Sequence, residues 1–212
     1  MKANEAQNTE GWMLSRCGMF TASRAADLMA RTKTGPSKSR DNLIALLVVE
    51  RLTGQPVETY QNDAMRRGTE LEAEARDAYS FTTSLAVEET GFVTCDDLPN
   101  TGCSPDGLIG DDGLVEIKCP ASMAKHLDAL LKGSHAVEYA WQLQHQLMVT
   151  GRAWVDAVSY DSRFPEHLQL AVVRVFPNEP AISELREAIM AADVEIFDLV
   201  GKLAQAAQKV AA

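Results

Sequence analysis

The chain has 212 residues, 46% of them hydrophobic, enough to bury one sizeable core, and a single domain over residues 1–212 is expected. Thirty acidic against 20 basic residues give a formal net charge of −10. That balance argues against a passive coat for nucleic acid, because duplex binding is dominated by phosphate neutralisation. No apolar run reaches the roughly 18 residues of a membrane span, and the polar start MKANEAQNTEGW lacks a signal segment, so a cytoplasmic protein without membrane association is expected.

In chain order, Thr21 or Ser23 can cap a short helix over residues 22–29. Residues 31–40, with Gly35, Pro36 and Ser37, read as a loop. Asp41 is placed to cap the apolar helix DNLIALLVVERL, which Gly54 and Pro56 end. A second helix follows in RGTELEAEARDAYSF. Strand-like runs cover 87–94, 102–109 and 114–119, and Asp111-Asp112-Gly113 signals a hairpin between the last two. Two helices are expected around 122–131 and 136–149, then the strands WVDAVSYD and LQLAVVRVF separated by a loop at Pro165, then a long helix from about Ala181. Mixed strands with helices on either side make an α/β domain. Cys17, Cys95, Cys103 and Cys119 include no C-x-x-C pair, so free thiols are expected rather than a zinc or iron–sulfur site.

The chemistry concentrates in the centre. Ser104-Pro105-Asp106-Gly107 is followed, with nine residues intervening after Asp106, by Glu116-Ile117-Lys118. On a strand, residues i and i+2 face the same side, so Glu116 and Lys118 project together and Ile117 points into the core. The hairpin brings Asp106 alongside. Two carboxylates and the Ile117 carbonyl are hard oxygen ligands suited to Mg²⁺, and a lysine beside such an ion can act on an attacking water. Acid-x-Lys alone is common on solvated faces. The surroundings (SPDGL, the tight turn, LVEIKCP and QLQHQ) match the PD-(D/E)xK nuclease pattern. Arg31, Lys33, Lys38 and Arg40, with no acid among them, form a basic loop on an acidic body, as suits an enzyme that grips DNA locally.

At these residues the chain resembles the phage lambda exonuclease group of viral recombination nucleases, also called YqaJ-like. The resemblance runs from about Trp12 to Phe176. It is carried by W-x-x-x-R-x-G-x-x-T-A-S (12–23), G-x-x-x-E (68–72), C-S-P-D-G-L (103–108), E-I-K-C-P (116–120) and Q-x-Q (142–144). It implies a restriction-endonuclease-like fold, a central mixed β-sheet flanked by helices. It implies metal ligation by Asp106, Glu116 and the Ile117 carbonyl, with Glu72 helping to hold a second Mg²⁺; Mn²⁺ is expected to substitute. It gives Lys118 the nucleophilic water and places Gln144 beside the active site, with Gln142 and Gln146 read as exposed. Arg16, Ser23 and Ser104 match a pocket for a 5′-phosphate; an arginine fork with hydroxyls at a helix start is also a reasonable anion site physically. His145 is given no role, and His126, His135 and His167 read as structural or solvated.

The implied activity is ATP-independent 5′-to-3′ hydrolysis of linear double-stranded DNA, leaving a 3′ single strand for recombination. The implied partners are DNA ends, a single-strand annealing protein and two further copies of the chain in a ring-shaped homotrimer. The alternatives are a PD-(D/E)xK endonuclease and a non-catalytic DNA-binding subunit.

Overall fold

A computed structural model of the protein describes residues 5–33, 35–57 and 63–210. The amino-terminal part contains α1 (Glu10–Ser15), β1 (Phe20–Thr21), a 3-10 turn (Ala22–Arg24) and α2 (Ala25–Met29). Then come β2 (Arg31–Thr32), β3 (Gly35–Pro36), α3 (Lys38–Thr53) and α4 (Asp63–Thr83). The middle holds β4 (Val93–Thr94), β5 (Thr101–Cys103), β6 (Gly107–Ile109) and β7 (Gly113–Lys118). The remainder is α5 (Met123–Lys132), α6 (Ser134–Glu138), α7 (Ala140–Thr150), β8 (Trp154–Tyr160), β9 (Leu170–Val175) and α8 (Glu179–Val210).

The central sheet runs β6-β7-β8-β9, with β7 and β8 parallel and the two outer pairs antiparallel. It is the mixed sheet flanked by helices that the motif order implies. The Asp111–Gly113 turn closes the β6–β7 hairpin as its residues suggest, helped by Gly110 at φ +50°. A Cβ on Gly113 would come within 2.2 Å of the Trp154 ring on β8, so only glycine admits that approach.

Several boundaries differ from expectation for local reasons. Residues 102–109 form two strands, not one, because Pro105 cannot donate to a ladder. β5 pairs with β1 and β4, and β6 pairs with β7. Within 87–94 the strand is confined to Val93–Thr94, with Glu88 bridged singly to Leu108. The helix expected over 136–149 is broken at Tyr139 into α6 and α7. Ser37, not Asp41, caps α3, its side chain accepting from the Arg40 N–H at 3.2 Å. Asp41 sits in the first turn, where its charge suits the helix dipole. Thr21 makes no capping bond to the turn after it. The expected loop at 31–40 contains the β2–β3 hairpin, and Thr34 lies outside the described residues.

β7 shows what positions the site. Leu114 packs with Leu143 and Leu147 of α7, while Val115 and Ile117 pack with Ala75 and Tyr79 of α4. The two-residue period thus turns Leu114, Glu116 and Lys118 toward α7. A third cluster joins α2, α3 and α8 through Leu28, Leu47, Leu185 and Ile189. The acids of α8 answer part of the basic loop: Arg31 pairs with Glu184 at 3.4 Å and Arg40 with Glu195 at 2.7 Å. Among the described residues this leaves Lys33 and Lys38 as that loop's cations without an ion pair, a smaller patch than its sequence suggests. None of the described helices is long and apolar enough to cross a membrane.

Candidate active site

The β6–β7 register pairs Gly107 with Val115, so Asp106 and Glu116 are the next opposed positions of the hairpin. Asp106 Oδ2 accepts the Ile117 N–H at 2.7 Å. The Lys118 ammonium donates to Glu116 Oε1 at 2.6 Å and lies 4.8 Å from the centre of the Tyr139 ring. Asp106, Glu116 and Lys118 therefore meet at one end of β7, as their spacing suggests. Burial and the charges of Glu116 and Glu72 raise the Asp106 pKa well above the carboxylate range, although Lys118 and the Ile117 N–H oppose the rise. Burial alone would lower the Lys118 pKa, but Glu116 and Asp106 outweigh it and hold the ammonium above the usual lysine value.

Glu116 is 3% exposed and its carboxylate turns to α7. Gln142 Nε2 donates to Oε1 and Gln146 Nε2 to Oε2, each at 2.5 Å. Residues four apart on a helix share a face, so one turn of α7 presents both amides. Gln144, two positions on, lies about 200° around the axis. It is not at the carboxylates. Its amide clasps the start of α8, donating to Phe176 O at 3.0 Å and accepting from Asn178 N at 2.7 Å. The placement of Gln144 beside the active site and the exposure of Gln142 and Gln146 are corrected together. The Q-x-Q motif is adjacent in sequence but divided by helical geometry; the signal within reach was the i, i+4 pair.

A cleft of about 1080 Å³ opens over this cluster, lined by Glu72, Asp106, Ile117 and Lys118 on one side and by Trp12, Arg16, Ser23 and Arg24 on the other. Glu72 comes from α4 and pairs with Arg76 at 2.8 Å. Its neighbours differ: Glu70 is exposed, and Glu74 accepts from the Tyr160 hydroxyl at 2.7 Å. On the opposite wall the Arg16 guanidinium lies 4.0 Å from the Trp12 ring centre and reaches Ser23 Oγ at 3.4 Å. Trp12 Nε1 in turn donates to Ser104 Oγ at 2.9 Å, so Arg16 touches Ser23 directly and is linked to Ser104 through the indole. Arg16 has no carboxylate within ion-pair distance among the described residues, whereas nearby Arg24 is answered by the buried Glu50 at 3.3 Å. Burial, and then the Arg24 charge, pull the Arg16 pKa down to about 10.

Among the described residues no three Asp, Glu, His or Cys side chains converge as a ready metal cage. The donor set nonetheless fits a hard cation. Asp106 and Glu72 are oxygen donors at the cleft, Glu116 stands behind them, and the charge crowding at Asp106 is what a divalent ion would relieve. His126 and His135 serve the fold: His126 bonds Ser159 Oγ at 2.8 Å and Leu168 O at 2.9 Å, and His135 bonds Ala157 O at 2.9 Å.

The YqaJ-like viral recombinase domain matches residues 11–153. An alkaline exonuclease from Laribacter hongkongensis is 40% identical, with 95% of this chain and 100% of that one covered and a TM-score of 0.87. A second structure of that enzyme, with the same coverage and TM-score, is a complex with dAMP. A phage-related exonuclease from Haemophilus somnus, 15% identical over 87% of this chain and 96% of its own, has a TM-score of 0.72 and shares the fold. No curated protein sequence matches the chain.

Proposed function

Because the chain belongs to the YqaJ-like viral recombinase family, we propose that this nuclease is a Mg²⁺-dependent, ATP-independent 5′-to-3′ exonuclease acting on linear double-stranded DNA. The observation that carries the reading is one cleft with two unlike walls. Carboxylates and Lys118 face an arginine that has no ion pair among the described residues. Arg16, with the Ser23 hydroxyl beside it and Ser104 joined to it through Trp12, suits the terminal 5′-phosphate, and Asp106, Glu116 and Lys118 suit the scissile bond. Asp106, Glu116, the Ile117 carbonyl and Glu72 are the groups assigned to hold Mg²⁺, two ions per site, with Mn²⁺ as a substitute. The bound metal supplies Lewis-acid stabilisation of charge on the phosphoryl oxygens. Lys118, held as an ammonium, orients the attacking water and stabilises the negative charge that develops on it. The dAMP held by the Laribacter enzyme is a nucleotide of the class such hydrolysis releases.

In this reading the product is a 3′-overhanging strand passed to a single-strand annealing protein in the bacterial cytoplasm, and the enzyme is a homotrimeric ring. A net charge of −10 supports closure around DNA, since so acidic a monomer has few means of holding a duplex through many cleavage steps.

Linear duplex labelled at one 5′-phosphate, incubated with Mg²⁺ and with EDTA beside closed circular DNA, tests the activity. The expected outcome is metal-dependent release of labelled mononucleotide first, with the closed circle untouched. Cutting of the closed circle makes the protein an endonuclease, and binding without cleavage makes it a DNA-binding subunit.

A further inference from the structure

The chain leaves β7 at Lys118 and turns at once through Cys119, Pro120 and Ala121 toward α5. Three successive carbonyls of this turn are taken by arginines. Arg67 Nη1 donates to Cys119 O at 3.3 Å and Pro120 O at 3.1 Å. Arg163 Nη2 donates to Pro120 O at 3.3 Å and Ala121 O at 3.0 Å. Both arginines meet on Asp161, whose side chain is 0% exposed. Arg163 reaches its two oxygens at 2.7 and 2.6 Å, and Arg67 reaches Oδ1 at 3.5 Å. The register of the parallel pair, Lys118 beside Ser159, sets Asp161 just past the carboxyl ends of β7 and β8. Arg67 lies on α4, five residues before Glu72, or about 7.5 Å along the axis.

We propose that Asp161, Arg67 and Arg163 form a positioning clamp for the cleavage site, fixing Lys118 and Glu72 relative to one another; this rests on the nuclease reading above. None of the three lines the cleft, so they act through the residues they hold and not on substrate. The cluster ties together the exit of β7 that carries Lys118, the exit of β8, and the helix that carries Glu72. Burying a carboxylate under arginines that stay partly exposed is a poor device for stability alone, since an apolar side chain of similar volume often serves as well. Its use here is geometric: guanidinium forks address a carboxylate and successive carbonyls in fixed directions, which a lysine cannot do. Burial would raise the Asp161 pKa, but hydrogen bonds from Arg163 and the charges of Arg163 and Arg67 bring it below the usual aspartate range. The carboxylate is therefore ionised wherever the enzyme would work.

The test is Asp161→Asn and Arg67→Ala in the full chain, assayed with Mg²⁺ on linear duplex beside the wild type. Misplacement of a reacting group by about an ångström can lower turnover by roughly 100-fold, so kcat is expected to fall about 10- to 100-fold. KM for DNA ends should stay within about twofold of the wild type in the same comparison, since nothing that lines the cleft is removed. Methylguanidinium at millimolar concentration should restore part of the Arg67→Ala rate and leave Lys118→Ala inert. Amide exchange should quicken over residues 117–122 and the first turns of α4, with the rest of the chain unchanged. Unchanged kcat, a parallel change in kcat and KM, no rescue by methylguanidinium, or exchange that quickens across the whole molecule overturns the proposal. A wild type inert on the same DNA removes the nuclease reading instead, and the exchange pattern still decides the clamp.

Discussion

The two walls of the cleft are built on opposite terms. On the β7 side every charge has an answer close by. Glu116 holds Lys118, Gln142 and Gln146, Asp106 holds the Ile117 N–H, and Glu72 holds Arg76. On the α1 side Arg16 rests on an indole face and touches one hydroxyl at 3.4 Å. The first wall is buried and rich in carboxylates, and burial together with the charges of Glu116 and Glu72 raises the Asp106 pKa. The second has a cation that is partly desolvated and unpaired among the described residues. A ligand that brings a cation to one wall and a phosphate to the other relieves both at once, and a metal-bound phosphodiester with a terminal phosphate is such a ligand.

The largest way to break this contrast is to strip the first wall of its charges. Asp106→Ala is expected to lose both metal binding and cleavage, because it removes a direct oxygen donor. Lys118→Ala should lose cleavage by on the order of a thousandfold while binding metal nearly as well as the wild type. Initial rates with Mg²⁺ and calorimetric titration of the metal separate the two. Near-normal turnover by Lys118→Ala would remove the lysine from the chemistry.

The next test divides α7 by face. Gln146→Leu should cut turnover roughly 100-fold, because Glu116 Oε2 loses its buried donor and the carboxylate loses its set position. Gln144→Leu should leave turnover within about twofold and lower stability by about 1 kcal/mol, since two part-buried backbone hydrogen bonds, at Phe176 O and Asn178 N, are lost. Equal kinetic losses in both variants would mean that α7 acts as a whole and not through one face.

That division also marks where the sequence stopped being readable. Glu116 and Lys118 could be placed together because they sit two apart on one strand, and Asp106 because a short hairpin joins it to them. These relations are local. Gln142 and Gln146 meet Glu116 across 26 and 30 positions of chain, and their partner was set by how α7 docks on the sheet. The Asp161 clamp was invisible for the same reason, its arginines arriving from α4 and from the loop after β8. Local chemistry also misled where a breaker was underweighted: Pro105 divides the strand expected over 102–109 between two sheets. The sequence sets a basic loop on an acidic body, and only packing shows Arg31 and Arg40 paired with Glu184 and Glu195 of α8.

α7 supplies a control for the satisfied wall. The helix that answers Glu116 also buries His145, 1% exposed, with neither ring nitrogen partnered among the described residues. Burial pushes its pKa down to about 3. Below its ordinary value near 6.5 the unfolded chain takes up a proton that the folded chain refuses. Stability is therefore complete above about pH 6.5 and falls by about 1.4 kcal/mol per unit as the pH drops from there toward 3. Between pH 7 and pH 5 this component is roughly 2 kcal/mol, or about 30-fold in the folding equilibrium. Denaturant unfolding of His145→Phe at both pH values should show that loss removed. An unchanged pH difference would mean that the imidazole finds a proton partner in solution.

The smallest expected effect tests the second wall directly. Arg16→Ala should reduce the preference for 5′-phosphorylated over 5′-hydroxyl ends by about tenfold, with metal binding unchanged. A hydrogen bond to a charged group contributes about 1.5–3 kcal/mol, and 1.4 kcal/mol is a factor of ten. The lower bound applies because the cleft is open to water and Arg24, though paired with Glu50, still adds positive potential nearby. With its pKa at about 10, the Arg16 guanidinium is charged at neutral pH, so the wild-type preference should hold from pH 7 to about pH 9. Arg16→Lys should recover only part of it, because an ammonium keeps the charge and loses the fork. The rate ratio on the two substrates is the measurement. A ratio unchanged in Arg16→Ala would make the arginine a prop for Trp12, and the contrast between the walls would then rest on the carboxylate side alone.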